Sequence, residues 1–298
     1  MAEPPSTNQA PVLTTKTPSG ITTITINRPH RRNAVDGPTA HKLTAAFLDF
    51  EEDTTQKVCV FHGANGTFCA GFDLHEVAEY GTQDQAEHTA DDNDKSEDKY
   101  AGPLVSPSNT VQGRNMGPIG PSRMQITKPV IAAVSGYAVA GGMELALIAD
   151  IRVAEEDAIF GVFNRRFGVP LIDGGTVRLQ AIVGLGRALD MILTGRAVDA
   201  AEALSMGLAN RVMPKGKSVE EAMAIARHIV SFPQRCLNVD RASCYFAAYN
   251  AKSFEDALAR EFDSGVGVIK EEGVSGAKRF RDGEGRHGRF EGEVEGLL

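Results

Sequence analysis

The sequence lacks the features that define several classes of protein. Its 298 residues contain no apolar run long enough to span a membrane. A formal net charge of −8 and a pI near 5.4 argue against nucleic acid as a partner. The four cysteines form no C-x-x-C pair and lie among largely apolar residues, at Cys59, Cys69, Cys236 and Cys244. This pattern argues against a disulfide framework or a metal site and predicts buried, reduced thiols.

Signals for export or for an organelle are also missing. The first eleven residues, MAEPPSTNQAP, have neither the apolar core of a secretion signal nor an arginine, and the last three are not Ser-Lys-Leu. We therefore expect a disordered tail at 1–11 and a cytoplasmic location, with mitochondria and peroxisomes left open. With 42% apolar and 23% charged residues, the remainder has the composition of a globular protein with a large core.

The chain is organised around residues 129–150, PVIAAVSGYAVAGGMELALIAD. Residues 129–134 predict a buried strand, and residues 142–149 predict an apolar helix. Between them, Gly136, Gly141 and Gly142 allow a tight turn that presents free N–H groups at the helix start. Such a turn favours an anion, including the oxygen of a polarised carbonyl, and Glu144 lies one helical turn along. The alternative is ordinary α/β packing, with Glu144 only complementing the helix dipole.

A second turn of the same kind follows an earlier strand. Residues 57–62, KVCVFH, predict that strand, and the loop GANGTFCAGFDL leads into a helix near Leu74. The turns at 70–72 and 140–142 are able to supply one N–H each to a shared oxygen, as an oxyanion hole requires. Neither turn by itself is enough to identify an oxyanion hole.

Two further groups of polar residues each have two interpretations. Arg28, Arg31 and Arg32 lie in the loop after a strand at 21–26, where they form either a solvated loop or a clamp on a phosphate-bearing ligand. Asp173 precedes Gly174-Gly175 at a helix start, where an aspartate is by default the N-cap. Its alternative role is a second acid at the site.

Residues 81–124 differ in composition from the rest of the chain. Their first part is acidic and low in apolar residues, and their second part is rich in glycine and proline. This composition predicts a mobile surface insertion and favours a solvated loop over a lid.

The order of the elements predicts an α/β protein. Strands and helices with glycine turns fill the first two thirds and favour repeated ββα units, and helical patterns fill the rest. We expect a core at 12–210 that carries the insertion, followed by a C-terminal helical region with a basic, glycine-rich tail at 211–298.

Together these motifs resemble those of the crotonase, or enoyl-CoA hydratase/isomerase, family. NRP at 27–29 with NA at 33–34 resembles its first signature, FCAGFDL at 68–74 its first oxyanion loop, and GYAVAGGMELA at 136–146 its second. The similarity continues through FG at 160–161, GGT at 174–176 and LTGRAVDAAEALSMGLANRV. It covers about residues 12 to 275 in one continuous order.

The resemblance implies a crotonase (ClpP-like) fold of repeated ββα units, in which the C-terminal helices complete a homotrimer and often a homohexamer. It implies an acyl-CoA thioester as substrate, with no separate cofactor because CoA is part of that substrate. Phe72 and Gly141 would donate their N–H groups to the thioester oxygen. The positions that it implies for CoA binding are Arg28, Arg31, Arg32, Phe68, Cys69, Ala70, Phe72, Asp73, Leu74, Tyr137 and Gly141.

One departure from the family's pattern concerns proton transfer. Its hydratases use two glutamates; the first is Glu144 here, whereas the second position is Asn164, which holds a water or a hydroxyl but cannot exchange a proton near neutral pH. The change counts against a double-bond isomerase. We expect hydration of 2-enoyl-CoA to 3-hydroxyacyl-CoA, with Glu144 as base and Asp173 or a second water returning the proton.

Two alternatives stay open at this point. One is a thioester hydrolase, or another enolate reaction, that uses Glu144 alone. The other is a family member that binds acyl-CoA or RNA with little turnover, although only the basic tail at 278–289 favours RNA. The sequence leaves the acyl chain undetermined, and Val162, Phe163 and Phe167 are candidates for shaping its pocket.

Overall fold

The computed structural model describes residues 10–76, 78 and 115–285. Most of the predicted tail at 1–11, the predicted insertion as far as residue 114 and the last thirteen residues lie outside these ranges. The described residues form a mixed α/β structure with a helical C-terminal region, which confirms the predicted fold class.

A six-stranded sheet forms the centre of the molecule. The first two strands of the chain are antiparallel to each other, and all other neighbouring strands in this sheet are parallel. The two central strands, VCVFHG and VIAAV, are almost continuously apolar because helices cover both faces of the sheet. In spatial order the strands are β1 (Val12–Lys16), β2 (Ile21–Ile26), β3 (Val58–Gly63), β4 (Val130–Val134), β6 (Ile151–Glu155) and β9 (Arg211–Met213).

Helices pack on the two faces of this sheet through alternate residues of the same strands. Helix α1 (Gly37–Glu52) shares one core cluster with Cys59 and Phe61, whose ring makes an edge-to-face contact with Phe47 at 5.2 Å. Helix α6 (Ser218–Ser231) shares the other cluster with Val58 and Val60. Because successive side chains of β3 point to opposite faces of the sheet, Cys59 and Phe61 contact the helix layer on one face, and Val58 and Val60 contact the layer on the other.

A smaller sheet places the second glycine turn. β5 (Tyr137–Val139) is parallel to β7 (Ile159–Gly161), which is antiparallel to β8 (Ala197–Asp199). Helix α2 (Gly141–Ala146) starts two residues after β5. The short connection fixes where that helix begins.

The remaining helices complete the core and the C-terminal region. They are α3 (Gly175–Val183), α4 (Leu185–Thr194), α5 (Ala200–Ser205), α7 (Gln234–Tyr249), α8 (Phe254–Val268) and α9 (Val274–Arg281). None of the helices in the described part of the chain has the length and apolar character that crossing a membrane requires.

Several predictions about local structure were wrong. Residues 117–122 and Met124 are buried, so the predicted surface insertion does not extend to residue 124. The basic C-terminal segment is helical as far as Arg281, after one π-helical turn at Ile269–Gly273. Strand β9 lies inside the region predicted to be helical. Cys236 and Cys244 are exposed on α7, because that helix buries little more than Ser243.

Candidate active site

The first glycine turn is held by strand-like bonds to Val35. The N–H of Val35 donates to the Gly71 carbonyl at 2.8 Å, and the N–H of Asp73 donates to the Val35 carbonyl at 2.9 Å. Because bonding groups alternate along an extended segment, the N–H of Phe72 between them points away from Val35. No acceptor among the described residues takes it up.

The second turn presents a free N–H at the start of α2. The N–H of Ala140 donates to the Gly161 carbonyl at 2.8 Å, and Ala140 has φ 53° and ψ −129°, a strained conformation for a residue with a Cβ. Gly141 is the first helical residue, so its N–H has no partner within the helix. Within the described ranges nothing else accepts this N–H.

The two turns are in direct backbone contact. A Cβ added to Gly71 would lie 3.0 Å from the Gly141 nitrogen, and one added to Gly142 would lie 2.0 Å from the Cys69 carbonyl oxygen. Glycine is therefore required at both positions so that segments 70 residues apart can approach. The contact brings the predicted N–H donors to the same region.

Glu144 is a buried carboxylate with one oxygen fixed. Its Oε1 accepts the N–H of Asp173 at 3.0 Å and the N–H of Gly175 at 2.8 Å, at the start of α3. No donor among the described residues contacts its Oε2. Burial, followed by the nearby charge of Asp173, raises the pKa of Glu144 to about 8, against the opposing effect of the two N–H groups. A group with this pKa is able to accept a proton near neutral pH.

Asp173 does not cap α3, so the default prediction for this residue was wrong. The N-cap is Gly174, which has no side chain to accept a bond. The Asp173 carboxylate turns the other way and accepts the Ser122 hydroxyl and the N–H of Ile119. Burial raises the pKa of Asp173, while Ser122 opposes the shift. The side chain thereby joins the segment at 117–122 to the site.

These groups surround a cavity of about 90 Å³. Its polar members are Glu144, Asp173 and Asn164, together with the backbone at Phe72 and Gly141. Asn164 is buried and donates from Nδ2 to the Val169 carbonyl at 2.8 Å. The apolar wall consists of Ala70, Leu74, Ile119, Ala140, Phe163, Phe167, Val169, Pro170 and Ile172, along with the Phe72 side chain. All five predicted catalytic residues therefore line one cavity.

A larger cavity of about 540 Å³ adjoins the first, and Ile172 lines both. Arg123, Arg178, Tyr245 and Tyr249 are among its polar residues, and none of the predicted site residues lines it. Of these two cavities the smaller is the better candidate for the chemistry, because carboxylates, Glu144 and Asp173, line it and none lines the larger.

The residues predicted to bind CoA differ in their availability. Arg28 is nearly buried, and its guanidinium group pairs with Asp36 at 2.6 Å and with Asp73 at 3.2 Å. Arg31 and Arg32 are exposed in the same loop. A role of these three residues in CoA binding stays a prediction, and the ion pairs of Arg28 make its guanidinium group less available to a phosphate than those of its two neighbours.

The other predicted CoA positions also divide into buried and accessible residues. The side chains of Phe68, Cys69 and Asp73 are buried. Ala70 and Leu74 line the small cavity, and Tyr137 is exposed at the end of β5. Phe68 and Cys69 are fully buried, so the accessible part of the predicted CoA segment begins at Ala70.

Sequence reasoning missed the contribution of residues 117–122. Ser122 and Ile119 bind Asp173, and a Cβ added to Gly117 would lie 2.4 Å from the Asp173 Oδ1 atom. The only signal in the sequence was the two glycines and two prolines of GPIGPS at 117–122, which equally indicate a surface loop. Of the three candidates for the acyl pocket, Phe163 and Phe167 line the cavity, whereas Val162 is buried elsewhere.

Comparisons with known proteins show which family this chain is similar to. The model of the enoyl-CoA hydratase/isomerase family matches residues 16–117 and 122–270. A probable enoyl-CoA hydratase of Rhizobium meliloti is 35% identical over 74% of this chain and 76% of its own. The short-chain-enoyl-CoA hydratase of Clostridium acetobutylicum is 33% identical over 71% and 72%. A crystal structure of an enoyl-CoA hydratase from Mycobacterium tuberculosis H37Rv has a TM-score of 0.77 and 29% identity, covering 92% of this chain and 96% of that one.

Proposed function

The chain belongs to the enoyl-CoA hydratase/isomerase family, and from this premise we propose that it is a hydro-lyase that converts a 2-enoyl-CoA to a 3-hydroxyacyl-CoA. One observation carries the proposal: Glu144 has a raised pKa, one fixed oxygen and one unpaired oxygen, in a cavity that the N–H groups of Phe72 and Gly141 also border. A carboxylate base and a pair of free N–H donors are the groups that hydration of a thioester-conjugated double bond requires.

The reaction begins with water bound between Glu144 and the substrate double bond. Glu144 takes one proton from the water, and the oxygen forms a bond to C3 of the acyl group. The electron pair of the double bond moves toward the thioester, whose oxygen gains charge and is stabilised by the N–H groups of Phe72 and Gly141. A proton then adds to C2. We assign the delivery of this proton to Asp173, which lines the same cavity and whose pKa is raised by burial, or to a second water. The proton on Glu144 then returns through solvent to that donor, so that both carboxyl groups regain their starting states.

CoA is part of the substrate in this proposal, so the reaction uses no separate cofactor. We assign the phosphates to the exposed Arg31 and Arg32 and the pantetheine to the segment at 68–74 and to Tyr137. Arg28 is left out of this assignment because two carboxylates already neutralise it.

We also propose that the protein is a homotrimer or a homohexamer. Helix α8 exposes large apolar side chains at a spacing of four residues, at Phe254, Leu258, Phe262 and Val266. Exposure of an apolar stripe of this size to water is unfavourable, and packing against a second copy of the chain would bury it. Light scattering should give three or six times the 31.8 kDa chain mass, and a monomer would contradict the proposal.

An assay with crotonyl-CoA tests the proposed activity. The double-bond absorbance should fall without release of free thiol, and Glu144→Gln should lower kcat by roughly a hundredfold or more because the base is lost. The matched control is Glu156→Gln, since Glu156 is an exposed glutamate away from the cavity.

The same assay separates the alternatives. Release of free thiol would identify a thioester hydrolase that uses Glu144 alone. Binding of acyl-CoA without either product would identify a low-turnover binding protein. An unchanged rate in Glu144→Gln would remove this residue from the mechanism.

A further inference from the structure

The wall of the larger cavity contains positive charge and no negative charge. Two arginines line it, Arg123 and Arg178, and none of its lining residues is an aspartate or a glutamate. Much of the remaining wall is apolar, and this part consists of Met124, Ile126, Ile148, Leu171, Ile172 and Val177. The volume of about 540 Å³ is in the range of small-molecule binding sites. A ligand that fits this wall combines an anionic group with an apolar chain.

The described protein does not neutralise these two arginines. Within the described residues Arg123 makes one hydrogen bond, from Nε to the Ile172 carbonyl at 2.9 Å, and its buried Nη1 has no acceptor. Arg178 donates from its two Nη atoms to the carbonyls of Ser122 and Met124. No carboxylate oxygen of the described residues lies within 4.0 Å of a nitrogen of either guanidinium group. A guanidinium group held away from water is costly unless a counter-charge accompanies it.

The two buried carboxyl groups of the smaller cavity do not supply that counter-charge. Glu144 and Asp173 attract the Arg178 guanidinium group from a distance, and burial raises the pKa of both carboxyl groups. The Asp173 carboxylate is bonded to Ser122 and Ile119, and the Glu144 carboxylate accepts two backbone N–H groups. Burial also lowers the pKa of Arg178, the direction expected for a cation without a close anionic partner. The missing counter-charge is therefore not among the described residues.

Two other arginines show why the cavity matters. Arg28 is paired with two carboxylates. Arg152 is buried and, within the described residues, is bonded only to backbone carbonyls, so such bonds alone are compatible with a structural role. It lines neither cavity. Arg123 and Arg178 have bonds like those of Arg152 but border a space of ligand size, which makes them available to an anion.

We propose that the larger cavity binds a carboxylate carried on an apolar chain, with Arg123 and Arg178 as the anion-binding residues and the apolar wall in contact with the chain. Guanidinium groups match the geometry of a carboxylate, which is less costly to bury than the dianion of a phosphate group. Two sources supply such a carboxylate. One is the far end of a substrate's acyl chain, since Ile172 lines both cavities, and this source rests on the proposed function. The other is a separate fatty acid.

Calorimetry with sodium octanoate and octan-1-ol tests the site without turnover. The two probes have the same chain length and differ in the charged group. The full-length protein should bind octanoate at least about tenfold more tightly than the alcohol, the effect expected of charge-assisted hydrogen bonds. Inorganic phosphate, which has no chain, should bind more weakly than octanoate. Arg123→Gln keeps a polar side chain but removes the charge, and it should reduce the preference for octanoate about tenfold.

A second variant serves if Arg123→Gln does not fold. Gln125 is exposed and lines the cavity, so Gln125→Glu adds a carboxylate to the wall with almost no change of shape. It should weaken octanoate binding about tenfold because the added charge competes with that of the ligand. The matched control is Gln180→Glu, which adds the same charge at an exposed position of α3 that lines neither cavity. It should leave the affinity for octanoate unchanged.

Two thioesters decide between the sources of the carboxylate. 2-Octenedioyl-CoA carries a carboxylate at the far end of its acyl chain, whereas 2-octenoyl-CoA carries none, and their affinities are measured in Glu144→Gln protein to prevent conversion. If the substrate supplies the carboxylate, the charged thioester should bind about tenfold more tightly and should compete with octanoate. Equal affinities, with octanoate bound alongside the thioester, would assign the cavity to a separate fatty acid.

The outcomes separate this site from the proposed function. The site is overturned if the wild-type protein binds octanoate no better than octan-1-ol, or if a folded Arg123→Gln variant keeps the wild-type preference, even when crotonyl-CoA is hydrated normally. A preference that is lost in Arg123→Gln and retained in Gln180→Glu supports the site, even when crotonyl-CoA is not hydrated.

Discussion

The two glycine turns that border the small cavity present similar N–H groups but are stabilised in different ways. The first turn is held from outside, by strand-like bonds to Val35 and by the ion pair between Asp73 and Arg28. The second is held by the bond from the Ala140 N–H to the Gly161 carbonyl and by a strained Ala140 at the start of its own helix. The first N–H therefore depends on an ion pair and on a distant strand-like segment, whereas the second depends more on local backbone conformation.

The largest expected effect comes from removing the external support of the first turn. Arg28→Met would leave Asp36 and Asp73 facing each other without a cation. The free energy of unfolding should fall by about 3 kcal/mol, as is typical when one partner of a nearly buried ion pair is lost. Urea denaturation measures this change.

Arg32→Met is the control for that experiment, because Arg32 is exposed in the same loop. It should change stability by less than about 0.5 kcal/mol and raise KM for the acyl-CoA. If Arg28→Met were as stable as the parent and instead raised KM, Arg28 would be a phosphate ligand after all.

The contact between the turns is tested by Gly71→Ala. The new Cβ would lie 3.0 Å from the Gly141 nitrogen, so the two N–H groups should be displaced by a few tenths of an ångström. We expect kcat/KM to fall roughly tenfold, because catalysis is sensitive to small displacements of this kind.

Gly66→Ala separates this displacement from backbone strain. Gly66 also has a positive φ, of 72°, but a Cβ there meets no atom within 4 Å. The substitution should lower stability by about 1 kcal/mol and leave kcat/KM unchanged. Equal losses of activity in both variants would show that the contact between the turns has no special importance.

The pH dependence of kcat/KM tests the raised pKa of Glu144, which follows the second turn in α2. Glu144 must be ionised to act as a base, so kcat/KM should rise with pH toward a midpoint near 8. Asp173→Asn removes a negative charge that raises the pKa of Glu144, so the midpoint should move to lower pH, while the loss of the proposed proton donor should lower the rate at every pH. A midpoint that stays in place would mean that the charge of Asp173 is not felt at Glu144.

The raised pKa of Glu144 also predicts how the free energy of unfolding changes with pH: it should fall as pH rises. The folded state holds the Glu144 proton up to a pH of about 8, whereas the unfolded chain releases it near its ordinary pKa. The contribution of Glu144 to stability is thus fully present at low pH and declines as pH rises through that interval. Glu144→Gln should show a shallower decline in urea denaturation than the parent protein.

The sequence predicted the local elements of this site better than their surroundings. Both turns, Glu144 and the apolar strands could be predicted because glycine placement and apolar runs act over a few residues. Asp173 was assigned to the wrong partner because its bond to Ser122 joins residues 51 positions apart, which no local pattern records. The ion pair between Arg28 and Asp73 likewise joins residues 45 positions apart, and the sequence analysis did not anticipate it. Contacts of long sequence separation decide what a polar side chain does in the folded chain.

The smallest expected effect concerns the strain in the second turn. Ala140→Gly removes a Cβ from a backbone with φ 53° and ψ −129°, and the relief of strain should exceed the added entropy of the unfolded chain. Stability should rise by about 0.5 to 1 kcal/mol, measured by urea denaturation, with little change in rate. Ala138→Gly is the control, since buried Ala138 has regular strand conformation in β5 and should lose about 1 kcal/mol. If both variants were destabilised alike, Ala140 would be unstrained, and the two turns would differ only in their partners.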